Sequence, residues 1–412
     1  MVFTLVFGLL LLAALPRGPA QQTATGTSIS GAQTGPLAFD SDGLFRISIF
    51  EDLHFGENAW EAWGPRQDVY SVRVMEQILD AEPQTSLVVL NGDLITGENT
   101  FLENSTEYMD QIAKPMLDRG LTWASTYGNH DSDYNISASL LLEREQRWLN
   151  SRTSQMVHSD TAGVTNYYLP VYLEPCDDSD CTPALLLWFF DSRGGFQFQQ
   201  RDGVTGERVG RPGWVDSTVV DWFKQTNQDL VSKAGRPVPA LAFTHIPTSA
   251  SLALQAKGLD PRLQPGINDD VPVAQQGDLP YPGKVGYEEC EQDIPFLEAL
   301  AATPGFMALF SAHNHGNTWC YKWDNDLLPD FPVKGNGINL CFGQHSGYGG
   351  YGRWIRGARQ VVVSREKLED LAIDTYIRLE SGAAVGSVTL NATYGQDVYP
   401  ATPNDQTRLP PD

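Results

Sequence analysis

Positive charge is the first thing this chain has little of. Lys and Arg number 28 against 51 Asp and Glu in 412 residues, a formal net charge of −23. No run of Lys or Arg offsets it locally, so the surface repels phosphate polymers and anionic headgroups, and a nucleic-acid partner is excluded. Cysteine is scarce, with 5 in all, too few for a small disulfide scaffold. Past the first residues no stretch approaches the roughly 18 apolar residues of a membrane span, and no apolar C-terminal tail suggests a lipid anchor. No G-x-S-x-G turn supplies a serine nucleophile; "DSRGG" lacks that context. What remains is a hydrophobic fraction of 41%, ordinary for a chain that buries a core.

The N-terminus reads as an export signal. An apolar run from Val2 to Leu15 is followed by small residues, with Gly18 and Ala20 placed for cleavage before Gln21. The alternative is an uncleaved signal anchor, since no Lys or Arg precedes the run and Arg17 follows it. Sequons at Asn104, Asn135 and Asn391 agree with a secreted, extracellular glycoprotein. In that compartment Cys176 and Cys181, close together on a turn-rich acidic loop, are expected to form a short disulfide. Among Cys290, Cys320 and Cys341, the pair expected is Cys290 with Cys320.

Residues 1–20 are therefore assigned to the signal, 21–43 to a polar leader, 44–394 to one catalytic domain and 395–412 to a loose Pro-rich tail. Within the domain, apolar runs such as "FRISIF", "SLVVLN", "ALLLWFFD", "ALAFTH" and "FMALFSAH" read as strands buried on both faces. Helical patterns over Arg66–Ala81 and Asp216–Lys233 intervene. Strand, helix, strand order predicts an α/β fold with a layered sheet.

Several of those runs end in residues that hold cations or move protons. "IFEDLHFG" ends in Asp52 and His54, "LVVLNGDLITGE" in Asp93, "TWASTYGNHDSD" in Asn129, His130 and Asp131, "ALAFTHIP" in His245, and "FMALFSAHNHGN" in His313 and His315. A lone His at a strand end is usually structural. Five of the 7 His falling in such clusters is harder to explain that way. Gly92 and Gly128 sit where the backbone must turn tightly to deliver the next side chain. Open α/β sheets bind ligands beyond the carboxyl ends of their strands. Carboxylate, amide and imidazole donors without thiolate suit hard to borderline metal ions.

The order DLH, GD, GNHD, a lone His after a strand and a closing His-x-His resembles the calcineurin-like metallophosphoesterases, over roughly residues 44–364. The export signals and "HSGYGGYG" are most similar to the secreted, purple-acid-phosphatase-related branch with Asp-x-His in the first motif. The resemblance implies a layered αββα sandwich of mixed β-sheets with flanking helices. It implies a dinuclear site of two divalent or mixed-valence ions (Fe, Mn or Zn). Asp52, His54 and His315 would hold one ion, Asn129, His245 and His313 the other, with Asp93 bridging. A hydroxide bridging the ions would attack phosphorus, and His130 would face the substrate, with Asn129, as acid or transition-state stabiliser.

Asp131 is the expected carboxylate partner of His130, and Glu51 an outer carboxylate pointing away from Asp52 and His54, which would share one face of an extended strand. His345 is a candidate substrate contact, and a packed Gly/Tyr turn is the alternative for its loop. The Pro/Gly-rich stretch between His245 and Glu288 reads as a structureless lid. Thr96 stands where the purple enzymes carry Tyr, which argues against a purple iron site, and Ala312 stands where the closing motif usually has Gly. The function expected is hydrolysis of small phosphate monoesters. The alternatives are a phosphodiesterase using the same site and a non-catalytic exported glycoprotein that binds a partner.

Overall fold

The computed structural model describes residues 35–176, 181–277 and 292–410. The proposed signal lies outside them, as does Cys290.

Two mixed sheets face each other. The first has seven strands in the order β1 (Leu37–Ala38), β5 (Tyr167–Tyr172), β6 (Leu185–Phe190), β9 (Ala240–Thr244), β10 (Phe306–Ser311), β12 (Ile338–Phe342) and β11 (Cys320–Trp323). The second has six, in the order β15 (Ala384–Leu390), β14 (Ile373–Leu379), β13 (Gly357–Ser364), β2 (Leu44–Phe50), β3 (Leu87–Asn91) and β4 (Trp123–Thr126). The pairs β2–β3, β3–β4, β6–β9, β9–β10 and β10–β12 are parallel, so their carboxyl ends form one rim in each sheet.

Side chains alternate across a strand, so a strand sandwiched between two layers must be apolar at every position. In β6, Leu185, Leu187 and Phe189 point between the sheets, where they meet Ile47, Ile49, Val89, Val361, Phe243 and Phe310. Rings of Tyr167, Phe189, Phe243 and Phe310 stack in sequence there, with centroids 4.5, 5.0 and 5.7 Å apart. Leu186, Trp188 and Phe190 point outward onto α4 (Ser217–Ala234), α5 (Ser249–Lys257) and α6 (Ile294–Ala301). The other sheet buries Val88, Leu90 and Trp123 against α1 (Trp63–Ala81), α2 (Tyr108–Leu117) and α3 (Ala138–Glu145). The layers are helix, sheet, sheet, helix. Each fully buried aliphatic or aromatic side chain stabilises this stack by about 1.5–3 kcal/mol before entropy is counted.

The predicted helices form, with shifted starts. Helix α1 begins at Trp63, and Pro65 sits in its first turn, where a missing N–H costs no helical bond. Asp216 is the cap of α4 and not its first residue: its carboxylate accepts from Thr218 N at 3.0 Å, and Gly235 ends the helix at φ 69°.

Four expectations are corrected. Cys320 pairs with Cys341, not Cys290, because antiparallel β11 and β12 set the two directly opposite; Cys176 and Cys181 are joined as expected. The leader's end is ordered, with β1 added to the first sheet and Phe39 buried. The tail is not loose: Ile355 and Thr407 N–H groups donate to Asp405 and Arg353, Trp354 and Gln406 form a bridge, and the Arg66 guanidinium donates to Pro410 O at 2.6 Å. The stretch after His245 contains α5 and a packed segment through residue 277, a wall instead of a structureless lid, and its remainder lies outside the described residues.

Asp293 shows how the wall is held. Its buried carboxylate accepts from Ser249 N at 2.6 Å and Ser249 Oγ at 2.7 Å, tying the start of α5 to that of α6. Burial pushes its pKa up from 3.8 to about 7, against those two hydrogen bonds. A raised carboxyl pKa contributes stability fully present below pH 3.8 and lost as pH rises through about 7. Asp293→Asn can still accept from Ser249 N, its amide N–H can donate to Ser249 Oγ in place of the second bond, and it cannot ionise. Its melting temperature relative to wild type is expected to be higher at pH 8 than at pH 5, and a difference independent of pH would remove Asp293 from the pH dependence.

Candidate metal centre

The centre sits at the rim, on the loops that follow β2, β3, β4, β9 and β10. Strand β2 ends at Phe50, so Asp52 and His54 do not share a strand face as the parity of an extended chain predicts. Both lie in the left-handed region, at φ 52° and 50°, as do Asp93 at 50° and His313 at 71°. Such conformations are costly for residues other than Gly and persist when surrounding structure holds them, commonly at functional sites. The loops hold each other: Asp52 N donates to Gly92 O, His54 N to Asp93 O, His130 N to Asp93 Oδ1, and His313 N to Asp52 Oδ1, at 2.8–3.2 Å.

Two clusters result. Asp52, His54 and His315 offer ligand atoms within 4.8 Å of one another, and Asp93, His245 and His313 do the same. His54 Nε2 lies 3.2 Å from His315 Nε2, and His315 Nε2 lies 3.6 Å from Asp52 Oδ1. Asp93 Oδ2 lies 2.9 Å from His245 Nε2 and 3.9 Å from His54 Nε2, so it faces both clusters. Asp52 Oδ2, Asn129 Oδ1 and His313 Nδ1 are buried without a hydrogen-bond partner. Unpaired buried polar atoms are costly. Donors of this chemistry converging without protein partners fit metal ions.

Outer contacts fix which imidazole nitrogen faces inward. Nδ1 of His54 meets Thr96 Oγ1 at 3.1 Å, Nδ1 of His245 meets Asn91 O at 3.0 Å, and Nδ1 of His315 meets Tyr351 O at 2.8 Å, so Nε2 is presented in each case. Thr96, where the purple enzymes carry Tyr, thus orients a donor. Burial, reinforced by neighbouring imidazolium charge, keeps His54 well below its ordinary pKa and His313 at about 4. Both are neutral and ready to ligate. Burial works against the Asp93 carboxylate, but His245 and His130 outweigh it and hold its pKa well below the usual range.

His130 lies beside the clusters and not in them. Its Nε2 is 4.0 Å from Asp93 Oδ2, and its Nδ1 is 2.7 Å from Glu98 Oε1. Burial opposes its charge; Asp93 and Glu98 overcome that and raise its pKa to about 10. Glu98 therefore has the role expected of Asp131, whose carboxylate instead accepts from Leu94, Ile95 and Gly128 N–H groups and braces the loop. Glu98 stood in the "GDLITGE" stretch, but nothing in the sequence paired it with a residue 32 positions on.

His345 is not positioned to touch substrate. It is 1% exposed, its ring centroid 4.0 Å from that of His315, and its Nε2 meets Gly349 O at 3.1 Å. The loop is the packed turn of the alternative: a Cβ on Gly350 would lie 2.5 Å from the His315 ring. Glu51 is buried, and a Cβ on Gly343 would lie 2.0 Å from its carboxylate. Burial and the adjacent Asp52 raise the Glu51 pKa well above normal, opposed by Arg359.

A cavity of 370 Å³ opens over the centre, lined by Asn129, His130, His313, Glu98, Arg208 and Phe196 among others. Arg208 and Phe196 come from a hairpin, β7 (Phe196–Arg201) with β8 (Arg208–Gly210), whose apolar alternation is confined to Phe196–Gln199 within a polar, Gly-rich stretch.

Residues 45–317 match the calcineurin-like phosphoesterase family, and the chain belongs to it. Among relatives, the probable inactive purple acid phosphatase 28 of Arabidopsis thaliana is 25% identical over 359 residues, covering 81% of this chain and 79% of that protein. The phosphatase DCR2 of Saccharomyces cerevisiae is 24% identical over 334 residues, covering 76% of this chain and 50% of that protein. A dimetal phosphatase from Danio rerio superposes with a TM-score of 0.49 at 12% identity, covering 84% of this chain and 98% of that one.

Proposed function

We propose that this protein is an exported enzyme that hydrolyses phosphate monoesters at a dinuclear metal centre. One observation carries the proposal: two clusters of buried donors, several of them unpaired, lie side by side with Asp93 of one facing His54 of the other, beneath a cavity that His130 lines. Asp52, His54 and His315 would hold one ion, Asn129, His245 and His313 the other, and Asp93 both. When bound, such ions activate water and neutralise phosphoryl oxygens. As the water oxygen bonds to phosphorus and the ester P–O bond breaks, His130 donates its Nε2 proton to the leaving oxygen. Glu98 holds the ring by Nδ1 and keeps it charged. The two disulfides and the half-buried sequon at Asn391 support export; the Asn135 amide is already committed to Thr100 O at 2.9 Å. No described helix is long and apolar enough to cross a membrane.

His130→Ala is expected to slow turnover of an alkyl phosphate by about 10²–10³-fold, and of a nitrophenyl phosphate less, because a good leaving group needs little protonation. Glu98→Gln should show the same pattern, weaker, and metal content should be unchanged in both. Equal losses on the two substrates would contradict the acid role.

A further inference from the structure

The cavity wall opposite the clusters is made by the β7–β8 hairpin, and its attachment is specific. Phe196 N donates to Ser132 O at 2.8 Å, Gln199 N to Tyr134 O at 3.1 Å, and Arg211 N to Gly195 O at 2.9 Å. A Cβ on Gly195 would lie 2.0 Å from Ser132 O, and one on Gly194 would lie 2.7 Å from Asn129 Cβ. The hairpin is thus seated on the same segment that bears Asn129 and His130. It delivers Arg208 to the cavity, with the guanidinium 4.3 Å over the Phe196 ring and Nη1 donating to Asp133 Oδ1 at 2.6 Å. Asp133 is 5% exposed, whereas the Arg208 side chain is 32% exposed. The carboxylate is buried behind a guanidinium held flat and partly open.

Charge selects what this wall can receive. Among the described residues lining the cavity, the Arg208 guanidinium and the His130 ring each already face a carboxylate, Asp133 and Glu98. A leaving group bearing a second phosphate would meet two carboxylates and no uncompensated cation. Beside the pairs stand Phe196, Ile246 and Ala274. A planar guanidinium stacks on flat π-systems and keeps in-plane N–H donors for a neutral acceptor, which a lysine cannot do. We infer that Arg208 is a specificity-determining residue that receives a small, flat, uncharged leaving group, so that the substrate class is aryl or heteroaryl phosphate monoesters and not polyphosphates. This rests on the phosphoesterase reading above.

The test is calorimetric binding of phenylphosphonate and methylphosphonate to the full-length metal-loaded protein, with hydrolysis of phenyl phosphate measured in parallel. Wild type is expected to prefer the phenyl compound by roughly tenfold. Arg208→Ala and Arg208→Lys should reduce the preference below about twofold, the Lys variant retaining the charge beside Asp133. Arg201→Ala, on the same hairpin but outside the cavity lining, should keep it. No preference in wild type, a preference surviving in both Arg208 variants, or its equal loss in Arg201→Ala would each overturn the assignment. Phenyl selectivity lost with Arg208 but without hydrolysis in wild type would support the Arg208 contact and overturn the catalytic reading instead.

Discussion

Asp93→Asn is expected to abolish phosphate release, by at least about 10³-fold, and to reduce bound metal from two ions to one or none. The Asp93 carboxylate is buried with His245 Nε2 at 2.9 Å, His54 Nε2 at 3.9 Å and His130 Nε2 at 4.0 Å from Oδ2. Asparagine fills the same space, and its oxygen can still accept the His130 N–H, so the fold should survive. What disappears is the negative charge between the two clusters. Metal analysis and turnover on the same sample check this, with circular dichroism as the folding control. Two ions retained with activity within tenfold of wild type would show that Asp93 does not join the sites.

Gly128→Ala is expected to be nearly as damaging, through sterics. A Cβ at residue 128 would lie 2.2 Å from Asp93 Oδ1, 2.4 Å from Asp93 N and 2.8 Å from His245 Cδ2. Real contacts require more than 3 Å, and one of the obstructing atoms is backbone, so Asp93 and its loop must move. Forced overpacking costs roughly 1–3 kcal/mol, and here the displacement falls on the carboxylate that faces both clusters. The variant should melt lower, bind fewer than two metal ions and lose most activity. Gly203→Ala, where no atom lies within 4 Å, is the matched control. Wild-type metal content in Gly128→Ala would mean that the centre tolerates a shifted Asp93.

The residues that converge at the rim are legible in the sequence because each follows an apolar strand, and strand ends are what periodicity locates best. Parity nevertheless gave the wrong reason for Asp52 and His54, which converge through left-handed backbone beyond the strand end; such angles leave no pattern in side-chain hydrophobicity. Contacts between distant loops were not legible at all. Glu98 with His130, Thr96 with His54, and Arg208 with Asp133 are made only once the loops fold over the rim. Between the two readings of His345 the sequence did not decide: a polar residue in a Gly-rich loop looks exposed until Gly349 and Gly350 let that loop pack flush against His54 and His315. Cys320 and Cys341 depended on the register of β11, a four-residue strand too short for alternation to mark.

Relatives of this chain include proteins named probable inactive as well as one named a phosphatase, so the central claim is catalysis itself. The most direct test is to strip the purified protein of metal, titrate divalent ions back, and follow phosphate release from a monoester beside bound metal. Activity should be absent in the stripped protein and reach its full value at two ions per chain. Two ions bound with no phosphate released, or release that persists after stripping, would contradict it.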